Sequence, residues 1–323
     1  MRAKQRTLLV LLGLIVLAGA ALTMLTLANR REEEAASAAE AGTIPLSSFA
    51  VEDLTAIQYT WQGQTVSLAY EEGVWTLADD PDYHLDQTKC DTMAAALADL
   101  KAKRRLEAPA GEDYGFAVPL LTVTVTAAGQ TSTFTFGDTN TVTGDIYLQK
   151  AGDGAVYTAA AAKAGCFEYG KAELFEPFNP AGITASRLER IEYTLPEGET
   201  VRLQAVSVPA EETEGDSAAY TTVWRLTDDP DAPLDQEAVD ALLSALGGYV
   251  TGQITGADPS AYGFDQPLAA VSVSDGERDY ALAYASGADG YYLKVEGDGS
   301  VYTVDGTAAA AFVPAEEIGR AHV

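Results

Sequence analysis

Two aspartate-rich turns carry the residue types best suited to chemistry in this chain. Asp79, Asp80, Asp82 and Asp86 stand together, and Asp228, Asp229, Asp231 and Asp235 repeat their spacing. Calcium takes about six to eight oxygen ligands, so clustered carboxylates make these eight residues weak calcium candidates. Their spacing departs from an EF-hand loop, which needs Asp-x-Asp-x-Asp-Gly and a distal glutamate. Asp-Asp-Pro-Asp ahead of an apolar periodic run is equally the mark of a strand-to-helix turn, with Asp86 and Asp235 as N-caps.

The other reactive types lack company. Cys90 and Cys166 are the only thiols, and His84 and His322 the only histidines. A Cys-His nucleophile pair, a Ser-His-Asp triad or a multi-histidine zinc site is therefore short of parts. The two cysteines read as small buried apolar residues or as one disulfide, and His84 as a surface turn residue. The 48 acids offer many carboxylate pairs, none marked by its setting. Gly152-Asp153-Gly154 and Gly297-Asp298-Gly299 lack the helix and lysine of a phosphate loop. These features predict no catalytic residue, no cofactor and no small-molecule substrate: not an enzyme.

Charge removes another class of partner. The first 31 residues hold five bases and no acid, leaving 15 bases against 48 acids, a charge of -33, in the rest. Such a surface repels nucleic acid. Lys101, Lys103, Arg104 and Arg105 form the one basic knot in this acidic region, read as the cationic end of a helix.

An internal duplication arranges these residues. Trp75-Thr-Leu-Ala-Asp-Asp-Pro-Asp82 recurs as Trp224-Arg-Leu-Thr-Asp-Asp-Pro-Asp231. Tyr114-Gly115-Phe116 with Pro119 recurs as Tyr262-Gly263-Phe264 with Pro267, and Tyr147-Leu148 with Val156-Tyr157-Thr158 as Tyr292-Leu293 with Val301-Tyr302-Thr303. In each Tyr-Gly-Phe segment the glycine suits a tight bend whose aromatics pack on a sheet. Alternating apolar positions (Ile57/Tyr59, Val66/Leu68, Val123/Val125, Phe134/Phe136 and their counterparts) predict strands. Cys90, Met93, Leu97 and Leu100, matched by Val239, Leu242, Leu246 and Tyr249, predict one helix per copy. Each copy thus reads β-β-β-α-β-β-β-β, an antiparallel sheet with one packed helix. The expected α+β chain has an anchor (1–31), a juxtamembrane linker (32–53), repeat domain 1 (54–174), a linker (175–187), repeat domain 2 (188–312) and a tail (313–323). The second copy adds an acidic loop, Pro209 to Ala219.

Residues 7–28 are uncharged and long enough to cross a bilayer core of ~20 apolar helical residues. Flanking bases on the N-terminal side favour a cytoplasmic N-terminus with the bulk extracytoplasmic, a single-pass protein of the cell membrane. The closing Ile318-Gly-Arg-Ala-His-Val323 matches translation of a common sequencing adapter, so 318–323 read as adapter-derived and His322 carries no functional weight.

The anchor, the early Ile-x-Tyr strand, the Trp-x-Leu strand before an Asp-led helix, the Tyr-Gly-Phe-x-x-Pro segment and the late Tyr-Leu…Val-Tyr hairpin together resemble a bacterial family, domain-of-unknown-function family 4340, in tandem copies. The resemblance implies neighbours of ABC-type transport components, and hence a non-catalytic accessory of a membrane complex. The alternative is a module that binds envelope polymer or a cation through the Asp turns or aromatic loops.

Overall fold

The computed structural model describes residues 43–106, 112–209 and 220–319. The expected anchor at 7–28 and most of the acidic loop lie outside them. Among the described residues no helix is long and apolar enough to cross a membrane.

The first sheet is built from β2 (Leu54–Trp61), β3 (Gln64–Glu71), β4 (Val74–Leu77), β6 (Arg104–Leu106), β7 (Leu121–Ala127), β8 (Gln130–Thr139), β9 (Asp145–Lys150) and β10 (Val156–Ala160). Its strand order is β4-β3-β2-β7-β8-β9-β10-β6. Helix α1 (Gln87–Ala98) follows β4, and a short β5 (Lys101–Ala102) pairs with β1 (Ile44–Pro45). The second sheet uses β11 (Arg190–Thr194), β12 (Thr200–Pro209), β13 (Tyr220–Leu226), β14 (Gly252–Thr255), β15 (Ala269–Ser274), β16 (Asp279–Gly287), β17 (Gly290–Val295) and β18 (Ser300–Val304). Its order, β13-β12-β11-β15-β16-β17-β18-β14, is the same order, with α2 (Gln236–Gly247) following β13. The duplication read from motifs is therefore a duplication of topology.

Alternation drives the sheets. Leu121, Val123, Val125 and Ala127 bury one face of β7. The intervening threonines pair across to β8, Thr124 with Thr133 and Thr126 with Thr131. Ala128 and Gly129 both adopt positive φ in the connecting turn, the geometry that matches strand twist in a tight hairpin.

The helices start and stop alike. Asp86 accepts the Lys89 N–H, and Asp235 accepts those of Glu237 and Ala238, satisfying donors the first turn leaves open. Near the C-terminus, Ser47 donates to the Leu97 carbonyl and Asn179 to the Leu246 carbonyl. Cys90, Met93 and Leu97 are buried on α1, and Val239, Leu242 and Leu246 on α2. Tyr249, expected in the apolar stripe, is exposed; Val250 takes the buried place one residue later. Past its helix the chain has turned into β14, so the 3.6-residue period no longer applies.

That post-helix strand changes the sequence reading in both copies. Each has four strands after the helix plus a short edge strand, β6 or β14, which pairs antiparallel with β10 or β18. The basic knot does not cap a helix: α1 stops at Ala98, and Lys101 to Arg105 lie on β5, β6 and the residue between them. Strands of two to four residues are too short to show a period of two.

Beyond the last strands, Leu174 and Ile318 hold equivalent places. Both are fully buried, and their carbonyls accept the backbone N–H of Asp86 and Asp235. Contacts divide the chain into two compact units, Met1–Thr65 with Asp91–Glu168 and Val66–Cys90 with Tyr169–Val323.

Candidate functional site

Within the second unit, the Asp turn at 79–84 lies against β14 and forms the most elaborate polar site among the described residues. Its centre is Asp80. The carboxylate accepts from Lys171 Nζ at 2.7 Å and from Thr255 Oγ1 at 2.7 Å. Burial pushes its pKa up, but the two hydrogen bonds and the Lys171 charge outweigh burial and hold it below the usual aspartate range. The same ammonium sits 4.8 Å above the Tyr83 ring, and the Lys171 carbonyl accepts the Tyr83 hydroxyl at 3.0 Å. Burial, then the charges of Asp80 and Glu173, push that phenol up to about 12.

Two residues before Thr255, Gln253 reads the turn's backbone. Its Oε1 accepts the His84 N–H at 2.7 Å, and its Nε2 donates to the Asp82 carbonyl at 3.0 Å and to Ser300 Oγ at 3.0 Å. The His84 ring stacks on Phe178, with centroids 3.9 Å apart and planes 24° apart. Its Nδ1 lies 2.8 Å from the Glu176 carbonyl, which can only accept, so this nitrogen carries the proton. The histidine expected at the surface is half-buried and held by Gln253, Glu176, Phe175 and Phe178.

Beside this contact runs an open groove of about 750 Å³, lined by Asp82, His84, Phe178, Gln253, Asp298 and Tyr302 among others. Asp298 accepts the Ser300 N–H at 2.8 Å and the Tyr302 hydroxyl at 2.7 Å. Burial first, then the Asp298 hydrogen bond and charge, raise the Tyr302 phenol. Asp153 does the same for Ala155 and Tyr157 in the first copy, and the Tyr157 hydrogen bond chiefly lowers its pKa. The Gly-Asp-Gly turns are thus locked by their own aspartates.

The eight turn aspartates are not brought to one point. Asp80 is engaged by Lys171 and Thr255, and Asp86 by Lys89 and the helix N-terminus, while Asp79 and Asp82 are exposed. In the second copy Asp235 caps α2, Asp228 lies 3.8 Å from Arg202, and Asp229 and Asp231 are exposed. Among the described residues no group of three or more His, Cys, Asp or Glu side chains is arranged to hold a metal ion.

Cys90 and Cys166 form no disulfide; Cys90 is buried, and burial pushes the Cys166 thiol up to about 11. The signature residues serve the scaffold. Trp75 is buried against Tyr70, while Trp224 is half-buried. Tyr114 meets Tyr147 edge-on at 4.8 Å, as Tyr262 meets Tyr292 at 4.9 Å. Gly115 and Gly263 have φ of 81° and 86° and leave no room for a Cβ beside Asp138 and Ser286. Pro119 is exposed and Pro267 half-buried in the loops after these bends.

Lys171, Phe178, Gln253 and Thr255 were not singled out from the sequence. They sit in linker and edge-strand positions, and the usable signal was negative: by topological register Arg105 replaces Gln253, and Ala315 replaces Lys171, in the other copy.

Two antiparallel eight-stranded sheets of one topology, each with a helix after its third strand, define a tandem α+β repeat protein. The chain belongs to the DUF4340 family, a domain of unknown function, whose model matches residues 75–222 and 224–317. Both matched segments begin at the tryptophan of its strand, Trp75 on β4 and Trp224 on β13. Neither a curated protein nor a solved structure matches the chain.

Proposed function

We propose that this protein is a non-catalytic extracytoplasmic module, held in the membrane by residues 7–28 with a cytoplasmic N-terminus, and accessory to a membrane complex of the ABC-transporter type. The observation that carries this reading is the use made of reactive residue types in both copies. Asp86 and Asp235 cap helices, Asp153 and Asp298 close hairpins, and His84 stacks in a packed joint. What is duplicated is scaffold, and a scaffold that spends its polar groups on itself suits presentation of a surface better than turnover. The uncharged 7–28 segment supports the location, and the ABC-type neighbourhood that the family resemblance implies supports the partner class. Protease added to intact spheroplasts tests the placement: digestion of the repeats with survival of an N-terminal tag supports it, and full protection opposes it.

The groove favours one second reading. Phe178 and Tyr302 meet edge-on at 5.7 Å beside Asp298, an aromatic-acidic lining suited to a segment of envelope polymer. Retention of the protein on isolated cell wall, lost on Phe178→Ala, would support that reading over the first.

A further inference from the structure

The second unit shows how an Asp turn is received by an edge strand, and each of the two parts recurs elsewhere in the chain without its counterpart. Gln253 on β14 pairs with Tyr302, and Arg105 on β6 pairs with Tyr157, its repeat equivalent. Gln253 is half-buried under the 79–84 turn, whereas Arg104 and Arg105 are exposed and lie in no salt bridge among the described residues. Lys101 and Lys103 are already matched by Asp99 and Asp145. The outer edge of β6 therefore carries two exposed guanidinium groups, of which Arg105 also acts through its charge on Asp153. In the other Asp turn, Asp229, Asp231 and Pro233 are exposed, while Ala232 is half-buried and the Pro230 carbonyl accepts from Arg225.

We infer that the Asp228–Pro233 turn of one chain docks on the β6 edge of a second copy, joining chains head to tail. The correlated differences between the copies carry the inference. In the observed contact Gln253 both accepts from the His84 N–H and donates to the Asp82 carbonyl. At the equivalent positions Pro233 has no N–H to give, and Arg105 has no acceptor to receive one. The donor half survives: an arginine at 105 can donate to the Asp231 carbonyl. The charges change together as well. Asp80 is neutralised within its own unit by Lys171, but Ala315 holds that place in the second copy, so Asp229 has no such lysine. Arg104 and Arg105 supply the missing cations, and a planar guanidinium is suited to grip a carboxylate with two parallel bonds. Residue type thus complements residue type twice, and the basic knot of the acidic region after residue 31 lies at that edge.

Such an interface is heterologous, so each chain leaves one turn and one edge open, and assembly extends rather than closing as a dimer. Exposed charge pairs also make it salt-sensitive. The full chain in detergent is expected to sediment as a concentration-dependent series of oligomers that dissociates as salt is raised. Arg104→Glu with Arg105→Glu, and separately Asp229→Lys with Asp231→Lys, are each expected to weaken self-association at least about tenfold, with unchanged circular dichroism. Mixing the two variants restores association, because the acidic turn of the first meets the basic edge of the second. A wild-type chain that stays monomeric, variants that associate like wild type, or a mixture that stays apart would each overturn the proposal.

Discussion

Gln253 holds His84 by its backbone: Oε1 accepts the His84 N–H at 2.7 Å, while the same amide donates to the carbonyl of Asp82. One side chain therefore satisfies both a donor and an acceptor of the Asp turn. The imidazole is left to stack on Phe178. A leucine or alanine could pack there but could not pair those groups, and unpaired polar groups under a half-buried contact are costly.

Gln253→Ala is accordingly expected to lower unfolding stability by about 1–3 kcal/mol, since it orphans the His84 N–H and the Asp82 carbonyl together. Gln253→Arg, the residue type of the other copy, should recover part of that loss by donating to Asp82, while still failing His84. Urea denaturation of the three proteins checks the order wild type, arginine, alanine. Equal stability of all three would deny the contact any role in the fold.

Asp80 gives the fold an acid sensitivity with a defined sign. Its folded pKa lies below its unfolded value, so its pairing with Lys171 and Thr255 stabilises the protein above the ordinary aspartate pKa of about 3.9. That stability is lost as pH falls through the depressed folded value. Asp80→Asn should therefore cost roughly 1 kcal/mol near neutral pH. The gap to wild type should close as the pH drops below about 4. Thermal melts of both proteins across that range measure it; a gap constant with pH would place the effect elsewhere than in the charge.

Gly115 and Gly263 are predicted to be intolerant in parallel. Each has positive φ, and an added Cβ would strike Asp138 beside Gly115 or the Ser286 carbonyl beside Gly263. Alanine at either position should destabilise by about 1–3 kcal/mol through backbone strain and clash. Alanine at Gly129, which also has positive φ but meets no atom within 4 Å, should cost less. Chemical denaturation of the three variants separates clash from strain; a Gly129→Ala cost equal to the other two would remove the clash from the account.

The sequence exposed the repeated frame because its signals are dense. Alternation in β7, the Asp caps and the Tyr-Gly-Phe bends each carry several residues that have little freedom to change. It did not expose β6 and β14, whose three and four residues show no period. It also missed the pairing of Asp80 with Lys171 and of Gln253 with His84, separated by 91 and 169 residues. No local pattern encodes a contact between a turn and a strand edge so distant in the chain. The Tyr249 assignment failed for a related reason: helical spacing was extended past Gly247, where the helix has already ended.

Affinity purification of the tagged full chain from detergent-solubilised membranes, followed by mass spectrometry, tests the accessory-module reading most directly. Co-recovery of a transporter-type membrane protein at near-stoichiometric amount, retained after mild salt washing, is the predicted result. Recovery of the chain with no membrane partner, together with its retention on isolated cell wall, would contradict that reading and leave the groove beside Phe178 as the functional surface.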